Sequence, residues 1–248
     1  MATSSRVAPV ALVIPTLNEE KALRPLARNI AALDPKPSEV IVVDGGSTDH
    51  TVDVAKELGF CVVEQTPAGR ARQINRGVDE THTEHICVLH ADTALPLDAI
   101  NVIDQTLEDP KTVLAGFTAI LCGERQTRWV TSLHNWLKTW YAPLLFRPHL
   151  FVRGCRLLFG DHAMFFKRSA FLAVGGCDPQ MKVMEEADLC IKMTARGRIR
   201  LVDRIVQTSD RRIAAWGPLK ANWIYLKVGI RWGLGQRRGL DNQYPDVR

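Results

Sequence analysis

Short uninterrupted apolar runs alternate with helix-patterned segments through roughly the first 110 residues, and this alternation constrains the fold more than any other feature of the chain. The runs are VALVI (10–14), VIVV (40–43), FCVV (60–63) and ICVL (86–89). Between them lie Leu23, Leu26, Ala27, Ile30 and Leu33, ending before Pro35. Val52, Ala55 and Leu58 follow, closed by Gly59. Residues 68–78 form a third helical segment, and Ile100, Ile103 and Leu107 a fourth, opened by Pro96. A strand that is apolar on both sides must be covered on both sides, which predicts a mostly parallel sheet with helices on each face.

Local chemistry refines this reading. Asn18 is the expected N-cap of the first helix, with Glu19 and Glu20 suited to its positive end. Ser47 or Thr48 is expected to cap the second. The second half is less regular. Residues 113–121 read as a longer strand, and Val130, Leu133, Leu137, Trp140 and Leu144 as one helix face. A short strand is expected at 163–166, then a brief helix capped by Ser169 and ended by Gly175 and Gly176. A helix at 185–196 stops at Gly197, and 199–202 and 205–207 read as two strands. Leu219, Trp223, Leu226 and Ile230 form the stripe of a last helix.

With 46% hydrophobic and 24% charged residues, the chain of 248 can bury a core, so disorder is excluded as its main state. Its 17 Gly and 13 Pro follow no period, which excludes a collagen-like chain. No apolar run approaches the roughly 20 residues of a membrane span, and residues 1–15 do not read as a secretory signal. Six dispersed cysteines without a C-x-x-C pair read as reduced core thiols of a cytoplasmic protein. The net charge of +5 is uneven: residues 196–248 hold twelve Lys/Arg and four Asp/Glu. That end suits a polyanion: a diphosphate, a nucleic acid or a membrane surface.

In open parallel sheets ligands sit beyond the carboxyl ends of the strands. Polar residues collect there: Thr16, Asn18 and Glu19 after the first run, Asp44 after the second, His90 and Asp92 after the fourth. Asp44, before two glycines, suits a nucleobase or ribose, or its own turn. His90 and Asp92 project from one side of an extended segment and suit a divalent cation; alternatively Asp92 and Thr93 cap the helix opened by Pro96. Arg70 and Arg72 at a helix start suit phosphate or solvent. Glu185, Glu186 and Asp188 either answer the helix dipole or include a desolvated general base. Arg211 and Arg212 are placed to neutralise a diphosphate, or else are surface charge.

Taken in order, VIPTLNEE (13–20), VVDGGSTD (42–49), AGRARQIN (68–75), LHADT (89–93), GDHAMFFKR (160–168), GGCDPQMKVMEEADL (175–189) and TSDRR (208–212) resemble the family 2 glycosyltransferases of GT-A fold. The likeness is greatest to the subgroup associated with radical-SAM and selenodomain proteins. The resemblance implies a single Rossmann-like α/β domain at 1–214, with a nucleotide-binding half at 1–95 and an acceptor and catalytic half at 96–214. A basic helical extension at 215–248 follows. It implies a UDP- or GDP-sugar donor, Mg²⁺ or Mn²⁺, an acceptor that it does not identify, and inversion at the sugar. Pro15, Thr16, Asn18, Glu19, Asp44 and Ala91 then line the nucleoside site, with Arg70 and Arg72 near ribose and diphosphate. Asp92 and His90 stand at the family's D-x-D, and Gly160 and Asp161 border the acceptor. Glu186 is the base, with Glu185 beside it, and Arg211 and Arg212 meet the diphosphate.

The chain departs from the family pattern in three places. His90 replaces the first Asp, which predicts weaker metal affinity. Glu186 carries one methylene more than the usual Asp, a shift of about 1 Å of the kind that alters rates. Ser209 stands near a further family His, and no His follows His162. Competing classes are a catalytically silent nucleotide-sugar binder and a nucleotidyltransferase, although PTLNEE lacks the latter's Gly-rich basic loop. A nucleic-acid binder built on the basic end has no recognition motif behind it. Residues 129–151 and 216–232 mix Trp, Tyr, Leu and Lys/Arg; they fit peripheral membrane contact, or Trp packed in a core or between subunits.

Overall fold

Successive residues of the central strands enter two different cores. A computed structural model describes residues 7–123, 126–236 and 239–241. In β1 (Val7–Thr16), Leu12 and Ile14 face one side and Val13 the other. Val42 and Val43 of β2 (Lys36–Asp44) divide in the same way, as do Cys87 and Val88 of β4 (His85–Val88). All these side chains are buried, each worth about 1.5–3 kcal/mol relative to exposure when the chain is large and apolar. The first core is covered by α1 (Glu20–Ala32), α2 (Thr51–Glu57) and α4 (Ala99–Glu108). The opposite core is covered by α3 (Arg70–Glu80), α5 (Trp129–Phe146), α7 (Arg168–Ala173), α8 (Glu185–Met193) and α10 (Pro218–Gly233).

With β3 (Cys61–Glu64), β5 (Thr93–Ala94), β6 (Thr112–Cys122), β7 (Phe165–Lys167) and β8 (Arg198–Ser209), the eight strands form one sheet in the order β3-β2-β1-β4-β7-β6-β8-β5. Only β5 and β7 run against the others, so the sheet is mostly parallel, as the apolar runs predict. Two short helices, α6 (Pro148–Phe151) and α9 (Arg211–Trp216), complete the α/β domain. Residues 237–238 and 242–248 of the expected C-terminal extension lie outside the described residues. All six cysteines are unpaired; Cys87, Cys155, Cys177 and Cys190 are buried as the core-thiol reading expects, whereas Cys122 is half-buried and Cys61, on the edge strand β3, is exposed.

Several local expectations are corrected. Asn18 does not cap α1. Its backbone is left-handed (φ 55°), its amide donates to Ser47 Oγ, and its side-chain oxygen accepts from the Thr48 amide, so it staples two loops. Neither Ser47 nor Thr48 caps α2, whose first amide, Thr51, donates to Asp49. Asp92 and Thr93 cap nothing, because Thr93 enters β5 and α4 begins only at Ala99. Ser169 lies inside α7 and bonds Glu84. The two strands expected at 199–202 and 205–207 are one strand, β8, with a register shift against β6 that absorbs Asp203 and Arg204.

The larger inversion concerns α5. The apolar stripe from Val130 to Leu144 faces outward, and the buried side holds Thr131, Ser132, Asn135 and Thr139. Core packing is therefore not the fate of Trp129, Trp136, Trp140 or Trp223, which are exposed; Trp232 alone among the tryptophans is fully buried.

Candidate functional site

The carboxyl ends of β1 and β2 form the first wall. Asp44 is buried, and its carboxylate accepts from the Gly46 and Ser47 amides at 2.8 Å each and lies 3.3 Å from Thr16 Oγ1. It closes its own turn, the local alternative to direct ligand contact. Gln73, absent from the sequence reading, donates to the Thr16 and Val43 carbonyls (2.7 and 2.8 Å) and ties the two strand ends to α3. Pro15 and Arg72 are half-buried here. Asn18, Glu19 and Ala91 line a groove that also takes in Asp92 and Arg211.

That groove adjoins a deeper cavity through Asp92, Thr208, Ser209 and Arg211. Arg70, His90, Asp92, Gly160, Asp161, Glu185, Glu186, Arg211 and Arg212 all line the cavity. Residues more than 100 positions apart thus converge. Asp44, Pro15, Thr16 and Arg72 stay outside the cavity, in the strand-end wall.

α8 enters through Met184, a non-glycine residue at φ 66°, a costly backbone position that turns Glu185 and Glu186 inward. Both carboxylates are buried. Neither Glu185 oxygen nor Glu186 Oε1 has a hydrogen-bond partner. Arg70 Nη1 stands 3.6 Å from each of them, and His90 Nε2 is 3.9 Å from Glu186 Oε1. Burial, then the charge of Glu185, pushes the Glu186 carboxyl up to about 7, with Arg70 opposing. Burial and the charge of Arg70 hold His90 well below the usual histidine range, so its imidazole is neutral. Gly160 leaves room for this contact: a Cβ there would fall 2.2 Å from His90 Cε1 and 2.8 Å from Glu186 Oε1.

Asp161 accepts from Asn135 Nδ2, and its Oδ1 stands 3.2 Å from His162 Nδ1. Burial disfavours its charge, but His162 and Lys138 offset this and keep its carboxyl below the usual range. Lys138 lies 3.7 Å from the centre of the Phe159 ring, and burial brings its ammonium down to about 8. Lys138, Asn135, His134 and Tyr141 reach the cavity from α5 and were missed in the sequence. The available signal was a polar row at 131, 135, 138 and 139, itself at helical spacing, beside the more conspicuous Trp/Leu stripe.

At the junction, Arg211 binds Glu19 with both terminal nitrogens and approaches Asp92 with Nε at 3.3 Å. Burial raises the Asp92 carboxyl above its usual range, and Arg211 opposes the shift. Among the described residues no three His, Cys, Asp or Glu side chains form a complete metal site. Asp92 and neutral His90, with its unpartnered Nε2, offer one carboxylate and one imidazole. That donor set fits Mg²⁺ or Mn²⁺ when phosphate oxygens and water supply the remaining ligands.

The fold agrees with comparisons to known proteins. A poly-β-1,6-N-acetyl-D-glucosamine synthase of Staphylococcus aureus is 25% identical over 200 residues, 76% of this chain and 46% of the synthase. The chain thus spans less than half the length of this curated relative. A mannosyltransferase from Pyrobaculum calidifontis, solved with GDP-Man and Mn²⁺, superposes with a TM-score of 0.65 over 98% of this chain and 67% of its own, at 17% identity. Glucosyl-3-phosphoglycerate synthase from Mycobacterium tuberculosis, solved with Mn²⁺, UDP and phosphoglyceric acid, gives 0.62 over 93% and 80%, at 21% identity. These matches do not distinguish the subgroup within the family. Residues 11–175 match the sequence model of glycosyl transferase family 2, and the chain belongs to that family.

Proposed function

We propose that this protein transfers a glycosyl group from a UDP- or GDP-sugar to an acceptor hydroxyl, with inversion at the anomeric carbon. The observation that carries the reading is the convergence of Glu186, Asp161, Arg70, Asp92 and Arg212 on one cavity that adjoins the groove of Asn18, Glu19 and Ala91. Similar structures that hold GDP-Man with Mn²⁺, or UDP with Mn²⁺, support a nucleotide-sugar donor. Residues 1–95 form the donor half, where Thr16, Asp44 and Gln73 shape the wall and Asn18 and Glu19 face the groove; 96–214 supply the acceptor half.

Glu186 is the general base. A buried carboxyl pushed up to about 7, beside a hydrogen-bonding vacancy at Oε1, is a stronger base than an ordinary carboxylate and is suited to take an alcohol proton. The acceptor oxygen forms its bond to the anomeric carbon as its proton moves to Glu186. The bond from that carbon to the diphosphate oxygen breaks, and the electron pair leaves with the nucleoside diphosphate. Arg70 and Arg212 stabilise the charge gathered there. A divalent cation held by Asp92 and His90 supplies further neutralisation of the diphosphate when bound. Asp161, kept ionised and oriented by Asn135, positions the acceptor.

The test is a thermal-shift screen of UDP-, GDP-, ADP- and dTDP-sugars with Mn²⁺, followed by product detection with the donor that stabilises. A UDP- or GDP-sugar that raises the melting temperature and is consumed supports the reading. Stabilisation without turnover across a broad panel of acceptors would favour a silent binder, and no stabilisation by any donor would overturn it.

A further inference from the structure

The outward stripe of α5 is long and aromatic: Trp129, Leu133, Trp136, Trp140 and Leu144 are all exposed, Trp129 by 67%. α10 repeats the pattern with Leu219, Trp223, Leu226 and Ile230, at spacings of four, three and four residues along one face; Leu219 is 88% exposed and Trp223 65%. The two helices pack on each other. Leu226 and Ile230 belong both to this outer face and to the lining of the Glu186 cavity, so the apolar surface runs continuously into the site. Soluble proteins rarely leave so much contiguous apolar area in water.

We propose that the α5–α10 face lies on the surface of an anionic lipid bilayer, with the mouth of the Glu186 cavity at the lipid–water boundary. Trp and Leu on one side of a helix, flanked by long cationic side chains, suit the headgroup region. Lys220 and Lys227 are exposed on α10, beside the row of Leu219, Trp223, Leu226 and Ile230. No helix among the described residues is long and apolar enough to cross a membrane, so the contact lies in the plane of the surface. A second copy of the chain is the competing occupant, and the test below separates it from a lipid surface.

Vesicle flotation tests the proposal. The wild-type protein is expected to float with vesicles of phosphatidylcholine and phosphatidylglycerol, less with phosphatidylcholine alone, and less again as salt rises. The Leu219→Glu/Trp223→Glu double variant alters only exposed positions outside the cavity. It should lose at least about tenfold of its vesicle binding. Its melting temperature and its donor-induced thermal shift should stay those of the wild type, which separates loss of docking from any failure of the glycosyl-transfer reading. A wild-type protein that stays at the bottom of the gradient with anionic vesicles overturns the proposal. So does a double variant that floats as well as the wild type, or a concentration-dependent dimer that the double substitution breaks while flotation is absent.

Discussion

Arg211 grips Glu19 from the far end of the chain, its two terminal nitrogens 2.6 and 2.8 Å from the two carboxylate oxygens. Nε of the same guanidinium stands 3.3 Å from Asp92. One side chain thus holds the groove and the deeper cavity in register. Arg211→Ala leaves two carboxylates facing each other with less compensating charge, and the Asp92 carboxyl, already raised by burial, rises further. Donor affinity should fall by about tenfold or more at neutral pH. The loss should deepen as pH falls, because Asp92 is protonated earlier in the variant. Calorimetric titration of the donor at several pH values reads both effects; a parallel pH dependence in variant and wild type would contradict the role given to Arg211.

Glu186 sets the pH profile. Its carboxyl lies near 7, so kcat/KM should rise through an acidic limb centred there. Glu186→Gln should lower turnover by roughly 10²–10⁴-fold and leave donor binding nearly unchanged. Glu185→Gln removes the neighbouring charge that helps raise Glu186, and should move the limb to lower pH. Stability has a defined sign as well. A carboxyl raised in the folded state favours folding fully below its unfolded value of about 4.5 and loses that advantage as pH climbs through about 7. Glu186→Gln should therefore raise the melting temperature more at pH 8 than at pH 4.

Gly160 is required for space. A Cβ at this position meets His90 Cε1 at 2.2 Å, His90 Nε2 at 2.5 Å and Glu186 Oε1 at 2.8 Å. Gly160→Ala should displace both side chains and reduce kcat by about 100-fold, the cost of a misplacement near 1 Å. Gly77→Ala is the contrasting case. Its Cβ falls 2.3 Å from Val13 Cγ1, in the core between α3 and β1, so it should cost about 1–3 kcal/mol of stability through overpacking. Comparing melting temperature with kcat for the two variants separates site geometry from packing.

Asp92 and His90 give a sparse donor set, so cation binding should depend on the donor's diphosphate. Chelator treatment should abolish most transfer, and Mn²⁺ should restore it. Asp92→Ala should weaken Mn²⁺-dependent donor binding by about tenfold or more, while His90→Asp should tighten it by restoring a second carboxylate. Full activity of both the Asp92→Ala variant and the wild type in chelator would remove the metal from the mechanism.

The α/β layering was open to inspection before any coordinates, because a strand buried on both faces has to be apolar at every position and a covering helix at every third or fourth. VALVI, VIVV and ICVL carry that requirement in their own composition. The strand ends were legible for the same reason, and so was the collection of polar residues there, His90 and Asp92 among them; Glu186 stood apart, a helix-start acid that only the family resemblance made the base. Which alternative each polar residue takes was another matter. Asp44 closes its turn and Asp92 leaves its expected helix, since a carboxylate satisfies a neighbouring amide or a distant guanidinium equally well and only packing brings Arg211 within reach. The outward Trp stripe of α5 shows the limit plainly. Periodicity states that a helix has an apolar side, but which side meets the core depends on whether the partner surface offers a cavity in need of Asn135 and Lys138, and that is settled by residues more than twenty positions away in the chain.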